Sequence, residues 1–221
     1  KDLVSAVTTY LALGLDRLAD YGSVLCHLNS TGGRGVTNTF GRHAFPMVWD
    51  YMESNPLNIK AAGWATACEK NEKWIMKASF IKSNNSSISQ SSAHSLNYPN
   101  EYLDAVFTDP PYYDNIPYSY LSDFFFVWLK RTLGDQFPDL LGTPLTPKSE
   151  EIVAYSHKEG GLTEGKRFYE TMMSKSFKEI NRVLKPNGIC YIVYAHKSVE
   201  AWESIINAIL DADLYLTASW P

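Results

Sequence analysis

"LDAVFTDPPYYDNIPY", residues 103–118, holds a strand that is cut short. Its first five residues read as a buried strand, and an acid, two prolines and a cluster of tyrosines follow at once. Proline has no N–H to give to a ladder, so the strand is assigned to 103–108 and the chain beyond it is rigid and irregular. Downstream, the spacing of Leu121, Phe124, Phe125, Trp128 and Leu129 predicts a helix over 118–133. A Gly/Pro-rich stretch from Gly134 to Gly165 reads as a long loop. A second helix is expected over 166–184, with Phe168, Met172, Phe177, Ile180 and Leu184 inward. "KPNG" should stop it through Pro186 and a glycine suited to a positive-φ C-cap. The strand "ICYIVYA" (189–195), a helix over 199–210 carrying Trp202, Ile205, Ile206 and Ile209, and a last strand in "DLYLTASWP" (213–221) complete the alternation. Strands alternating with helices predict an α/β fold with a doubly wound, mainly parallel sheet. Ligands in such sheets sit beyond the carboxyl ends of the strands, which is where Asp109 to Tyr112 fall.

Upstream, Leu3, Val7, Leu11, Leu15, Leu18 and Leu25 predict an amphipathic helix over 3–28. "NSTGGRGVTN" (29–38) raises the question of a phosphate cradle, but that motif needs a preceding strand; a helix precedes it, and a flexible turn is expected. Residues 43–53 and 61–78 read as helical, and "KSNNSSISQSS" (82–92) as a loop leading into a short strand. The expected division is a mainly helical segment over 1–80 and a catalytic part over 81–221 with the long loop 134–165.

With 221 residues, 45% apolar and 20% charged, the chain can bury one sizeable core. No stretch approaches the ~18 apolar residues of a membrane span, and "KDLVSAVTTY" lacks the regions of a signal peptide, so a cytoplasmic protein with no membrane partner is expected. The chain opens without methionine and stops just after an apolar stretch, and it reads as a piece of something longer. Cys26, Cys68 and Cys190 are far apart, and the histidines are scattered; reduced thiols and no metal are expected. A net charge of −4 argues mildly against nucleic acid but leaves room for a local basic face. Lys148, His157, Lys158, Lys166 and Arg167 border or lie in the long loop within reach of a phosphate backbone. Lys175, Lys178, Arg182 and Lys185 serve either phosphates or the helix macrodipole.

The tetrapeptide Asp109-Pro110-Pro111-Tyr112 suits one kind of chemistry. An exocyclic amine on an aromatic base is a poor nucleophile because its lone pair is delocalised into the ring. A site that methylates it must accept hydrogen bonds from both N–H groups. Asp109 can accept one and the Pro110 carbonyl the other, with Pro111 fixing the backbone. Tyr112 then offers a flat face to a base taken out of its stack.

"DPPY" resembles the catalytic motif of amino-methyltransferases that use S-adenosylmethionine, chiefly the adenine-specific DNA methyltransferases. The longer run "VFTDPPYYDNIPYSYLSDFFFVWLKR" (106–131), with "NTFGRHAFPMVWDYMESNP" (38–56) and "INRVLKPNGICYIVYAHK" (180–197), is similar to the large prokaryotic putative DNA methylases that carry a zinc-ribbon module. The resemblance implies an incomplete Rossmann-like methyltransferase fold, S-adenosylmethionine as cofactor and adenine in DNA as substrate, with direct in-line transfer to the 6-amino group. It implies Asp109, Pro110, Pro111 and Tyr112 as the catalytic set. Tyr113, Asn115 and Tyr118 join Tyr112 at the base, or else pack and cap the following helix. Ser92 and Ala93, with Asp109, fall at the cofactor. Two features depart from the family: the glycine-rich loop after an acidic strand has no copy here, and Ser92 stands in "SSAHSL" (91–96) where an aspartate is expected. The zinc ribbon is absent as well. The alternatives are methylation of an amino group on RNA or protein glutamine, and a nucleic-acid-binding module without catalysis.

Overall fold

The computed structural model describes residues 2–29, 35–81, 86–114, 116–155 and 161–220. The chain forms two compact units, one from residues 1–86 and 118–148 and the other from 87–117 and 149–221. This division is discontinuous, and the helix after the proline motif falls in the same unit as the N-terminal segment.

In the first unit, α1 (Asp2–Tyr21) packs against α2 (Trp64–Ser79) and α3 (Tyr118–Leu133). Gly14 lets the Trp64 ring approach: a Cβ there would lie 3.3 Å from it, and Asn71 Nδ2 donates to the Tyr10 carbonyl at 2.6 Å. The first helix stops at Tyr21, not near residue 28. Ser23 Oγ accepts the Leu25 N–H at 3.0 Å, a local bond that competes with helical continuation. Asp20 then draws the returning chain in, its carboxylate accepting from Asn38 Nδ2 at 2.7 Å and from the Phe40 N–H at 3.2 Å. Between them, β1 (His27–Leu28) and β2 (Val36–Thr37) pair antiparallel, so "NSTGGRGVTN" connects a small hairpin; residues 30–34 lie outside the described ones. Residues 43–53, expected to be helical, are irregular. Pro46 has no N–H for a helical ladder there. The Phe124 and Phe125 rings of α3 meet those of Phe40 and Phe45.

Much of the expected long loop is built structure. A short helix, α4 (Pro138–Leu141), follows α3. Asp123 accepts from the Thr146 N–H at 2.9 Å and from its hydroxyl at 2.6 Å, and pairs with Lys148 at 2.6 Å. Asp123 is thus a structural acid, and Lys148 is committed within this unit rather than offered to phosphate.

The second unit contains β3 (Leu103–Thr108), α5 (Gly161–Val183), β4 (Leu184–Ile192) and α6 (Val199–Leu210). β3 and β4 run parallel. Tyr169, Met173, Phe177 and Ile180 of α5 and Ala201, Ile205 and Ala208 of α6 form one core, and Val106, Cys190 and Ile192 of the strands pack on it. The opposite strand face stays open, with Phe107 74% and Ile189 53% exposed. The described residues thus make an α/β chain with two two-stranded sheets, one parallel, and helices on one face of it. The last strand expected in 213–221 is absent among the described residues, which run irregularly after Asp213. The short strand expected after residue 91 is reduced to an isolated Ser92–Ser95 bridge.

The turn between α5 and β4 differs from expectation in its means. Ladder register jumps from Leu103 opposite Leu184 to Ala105 opposite Ile189, so "KPNG" is extruded as a bulge. Gly188 is not in the positive-φ region. It is needed for space, because a Cβ would lie 3.0 Å from the Lys185 carbonyl oxygen and 3.2 Å from that of Asp104.

A clamp fixes the approach to β3. Arg182 donates to the Tyr98 carbonyl at 2.9 Å, the Leu96 carbonyl at 3.1 Å and Asn100 Oδ1 at 2.6 Å, while pairing with Glu179 at 2.7 Å. Glu179 accepts the Leu96 N–H as well, at 2.7 Å. The Arg182 guanidinium holds the Glu179 carboxyl down to about 2.

Two outcomes are expected. Gly188→Ala should lower stability by about 1–3 kcal/mol in chemical denaturation, because two backbone oxygens must give way. Because the folded-state pKa of Glu179 is depressed from 4.5 to about 2, its contribution is complete above pH 4.5 and is lost as pH falls toward 2. Thermal melts between pH 6 and pH 2 should show that loss, and Glu179→Gln should flatten it while lowering the melting temperature at pH 7.

Candidate active site

The second unit brings the residues after β3 beside those after β4. The Val193 N–H donates to the Thr108 carbonyl at 2.9 Å, carrying the parallel ladder one step past the strand. Asp109 to Asp114 therefore lie alongside Tyr194 to His196. Asp109 is exposed and Pro110 buried, and Tyr112 is half-buried. The Tyr112 ring meets Tyr194 edge to face at 5.6 Å, and Tyr194 meets Trp202 in the same way at 5.2 Å.

Hydrogen bonding separates the two proline carbonyls. Pro111 O accepts from the Tyr113 N–H at 3.1 Å and from the Tyr169 hydroxyl at 2.9 Å. Burial foremost, and then the neighbouring Tyr194, push the Tyr169 phenol well above its ordinary range, so it remains a donor. Among the described residues, the Pro110 carbonyl and the Asp109 carboxylate make no hydrogen bond or ion pair. The turn thus uses one carbonyl for its own support and leaves two acceptors, the Asp109 carboxylate and the Pro110 carbonyl, without a hydrogen bond among the described residues.

Tyr113 anchors the turn. Its φ of 48° is a costly conformation for a bulky side chain. Its carbonyl accepts from the Ala154 N–H at 3.0 Å, and its ring, 2% exposed, packs edge-on against Tyr169 at 5.0 Å. Tyr113 belongs to the core, in line with the packing role weighed for it. Burial, followed by the charges of Glu200, Glu170 and Asp114, raises its phenol pKa strongly. Val153, Ala154 and Tyr155 are buried behind the turn, and the Tyr155 hydroxyl donates to the Ile116 carbonyl at 3.0 Å. Gly165 makes room for this segment, since a Cβ would lie 2.2 Å from Tyr155 O. The stretch 149–155, part of the expected long loop 134–165, is therefore a support of the motif.

Other expected residues are placed differently. Asn115, His157 and Lys158 lie outside the described residues. Tyr118 opens α3 in the first unit. Ser92 and Ala93 sit in an exposed turn leading into Leu96, which the Glu179–Arg182 clamp holds at the amino end of β3, opposite Asp109. Among the described residues, no hydrogen bond or ring contact joins that turn to residues 109–114. A cavity of about 230 Å³ in this unit is lined by Glu170, Ser204, Asn207, Ala208 and Asp211, with no contribution from the motif. The residues present thus fit an amine and do not by themselves form a cradle for S-adenosylmethionine. Lys166 pairs with Glu200, Lys185 with Asp104, and Arg182 serves the clamp, whereas Lys175 and Lys178 stay exposed on α5. Among the described residues, no group of three or more His, Cys, Asp or Glu is placed to hold a metal ion, and no helix is long and apolar enough to cross a membrane.

The sequence reading gave no role to Tyr169, Tyr194 or His196. "YAHK" follows β4 as "DPPY" follows β3, and neighbouring parallel strands deliver their following residues to one place; that was the available signal. Comparison with known proteins gave no match to any family model, curated protein or solved structure.

Tyr169→Phe should cost about 0.5–1.5 kcal/mol of stability and quicken hydrogen exchange at the Tyr113 amide, which shares the same carbonyl. Unchanged exchange there would show that the hydroxyl does not hold the turn.

Proposed function

We propose that this chain presents the 6-amino group of an adenine for methylation, as the amine-binding part of an S-adenosylmethionine-dependent DNA methyltransferase of Rossmann-like fold. The observation that carries the reading is the division of acceptors at the end of β3: Asp109 and Pro110 open, Pro111 closed by Tyr169 and Tyr113. The Asp109 carboxylate takes one N–H of the amine and the Pro110 carbonyl the other, which draws the nitrogen lone pair out of the ring. Tyr112, braced by Tyr194, stacks on the base. S-adenosylmethionine is the methyl donor this chemistry calls for, and the residues described supply the acceptor side. The parallel pair β3–β4, with the motif at its carboxyl end and α5 and α6 on one face, supports the Rossmann-like reading. Placement in the cytoplasm goes with this reading.

A second reading has one observation in its favour. Ser92 and Ala93 are not brought to the motif, so a base-binding module without transfer is the alternative. Calorimetric titration with S-adenosylmethionine separates the two: heat of binding supports transfer, and its absence at millimolar donor supports the module.

Asp109→Ala should abolish transfer of labelled methyl groups to adenine-containing DNA without lowering the melting temperature, since the side chain is exposed. Tyr112→Phe should retain most transfer and Tyr112→Ala should lose about 1–3 kcal/mol of base binding. Equal losses in both tyrosine variants would assign the role to the hydroxyl instead.

A further inference from the structure

His196 has a defined set of partners at the edge of the motif. Its side chain is 8% exposed. Nδ1 accepts from the Ser198 N–H at 3.1 Å and lies 2.9 Å from the Ser198 hydroxyl, which itself caps α6 by accepting from the Ala201 N–H at 3.3 Å. A ring nitrogen that accepts an amide N–H keeps its lone pair there, so the proton of the neutral ring is on Nε2. The Trp202 indole N–H donates to the His196 carbonyl at 3.0 Å, which fixes the backbone too. Nε2 is buried, lies 3.3 Å from Asp114 Oδ1, and has no aligned hydrogen-bond partner in this conformation. The ring also meets Tyr113 edge to face at 5.9 Å. Asp114 itself is half exposed, and it stands two residues after Tyr112.

The geometry points to His196 as a positioning residue: with Nε2 3.3 Å from Asp114 Oδ1 and its ring edge-on to Tyr113, it braces both residues and so sets the turn that carries Asp109, Pro110 and Tyr112. This rests on the amine-presenting reading of that turn. Ser198 and Trp202 fix the ring and backbone of His196, so the side of the ring that Asp114 and Tyr113 meet is fixed as well. Ser198 orients His196, His196 orients Asp114, and none of the three need touch the substrate. The ring of Tyr112 reports the result, because it stands at the end of the same short segment.

The test follows the Tyr112 ring by NMR in the whole chain with ring-labelled tyrosine. Glutamine carries an amide N–H near the place of Nε2, so His196→Gln should leave the Tyr112 signals where they are in the wild type. His196→Ala and Asp114→Ala should each shift or double them, and the double variant should move them no further than either alone, as expected for one shared contact. A Tyr112 signal unmoved in a folded His196→Ala overturns the proposal, and so does His196→Gln behaving as alanine. If His196→Ala does not fold, Asp114→Ala carries the test, a shift supporting the proposal and its absence overturning it. Labelled-methyl transfer to adenine-containing DNA scores the underlying reading separately. Where the wild type transfers, His196→Ala should lose on the order of a hundredfold in rate, as a misplaced reacting group does, with His196→Gln restoring most of it. Where it does not, the base-binding module without transfer is the reading that stands, and the Tyr112 signals still decide the role of His196.

Discussion

Two consecutive prolines remove two N–H donors from the end of a strand and leave two carbonyls that no strand ladder takes up. The second unit satisfies one of them and, among the described residues, leaves the other without a hydrogen bond. Tyr169 reaches across from α5 to Pro111 O, and the Tyr113 amide folds back to the same atom. The turn is then held from two sides, while the exposed Asp109 carboxylate and the Pro110 carbonyl stay without a hydrogen bond among the described residues. Tyr113 accepts a costly backbone angle in this arrangement, offset by its burial among Tyr169, His196 and the 153–155 segment.

The same unit is pinned at its other end by charge. Glu179 and Arg182, one turn apart on α5, take up three backbone groups and one side-chain amide oxygen of residues 96–100 before β3 begins. α5 thus governs both ends of β3: a guanidinium at the amino end and a phenol at the carboxyl end. Its length, Gly161–Val183, is what spans the two.

The elements that sequence periodicity defined best were those whose limits are set by local chemistry. β3 over 103–108, α3 over 118–133 and α6 over 199–210 have the predicted bounds, because prolines stop the first and a Ser198 N-cap starts the last. The end of α1 was only half legible: Ser23 offers a local bond that stops it, but the bonds to the Asp20 carboxylate that draw the chain back come from residues eighteen and twenty positions away. "DLYLTAS" has the composition of a strand, yet a strand also needs a neighbour with free ladder groups, which composition does not report. Within the site, the position of Asp109 and Tyr112 was readable from the strand end alone. The burial of Tyr113 was not, since two adjacent tyrosines in a turn look alike until the core behind one of them is built. Ser92 and Ala93 were placed by resemblance, and no local signal fixed where that turn would dock.

The supports of the motif are also late in the chain. Tyr155 binds a carbonyl 39 positions earlier, Tyr169 one 58 positions earlier, and His196 follows both. A polypeptide emerging from the ribosome therefore presents the proline turn long before anything can hold it. Non-local closure of this kind is slow relative to helix formation. The geometry around Asp109 therefore depends on contacts with α5 and with the residues after β4, which lie far from it in sequence. A chain cut or stalled before residue 155 carries the whole tetrapeptide and none of these distant supports.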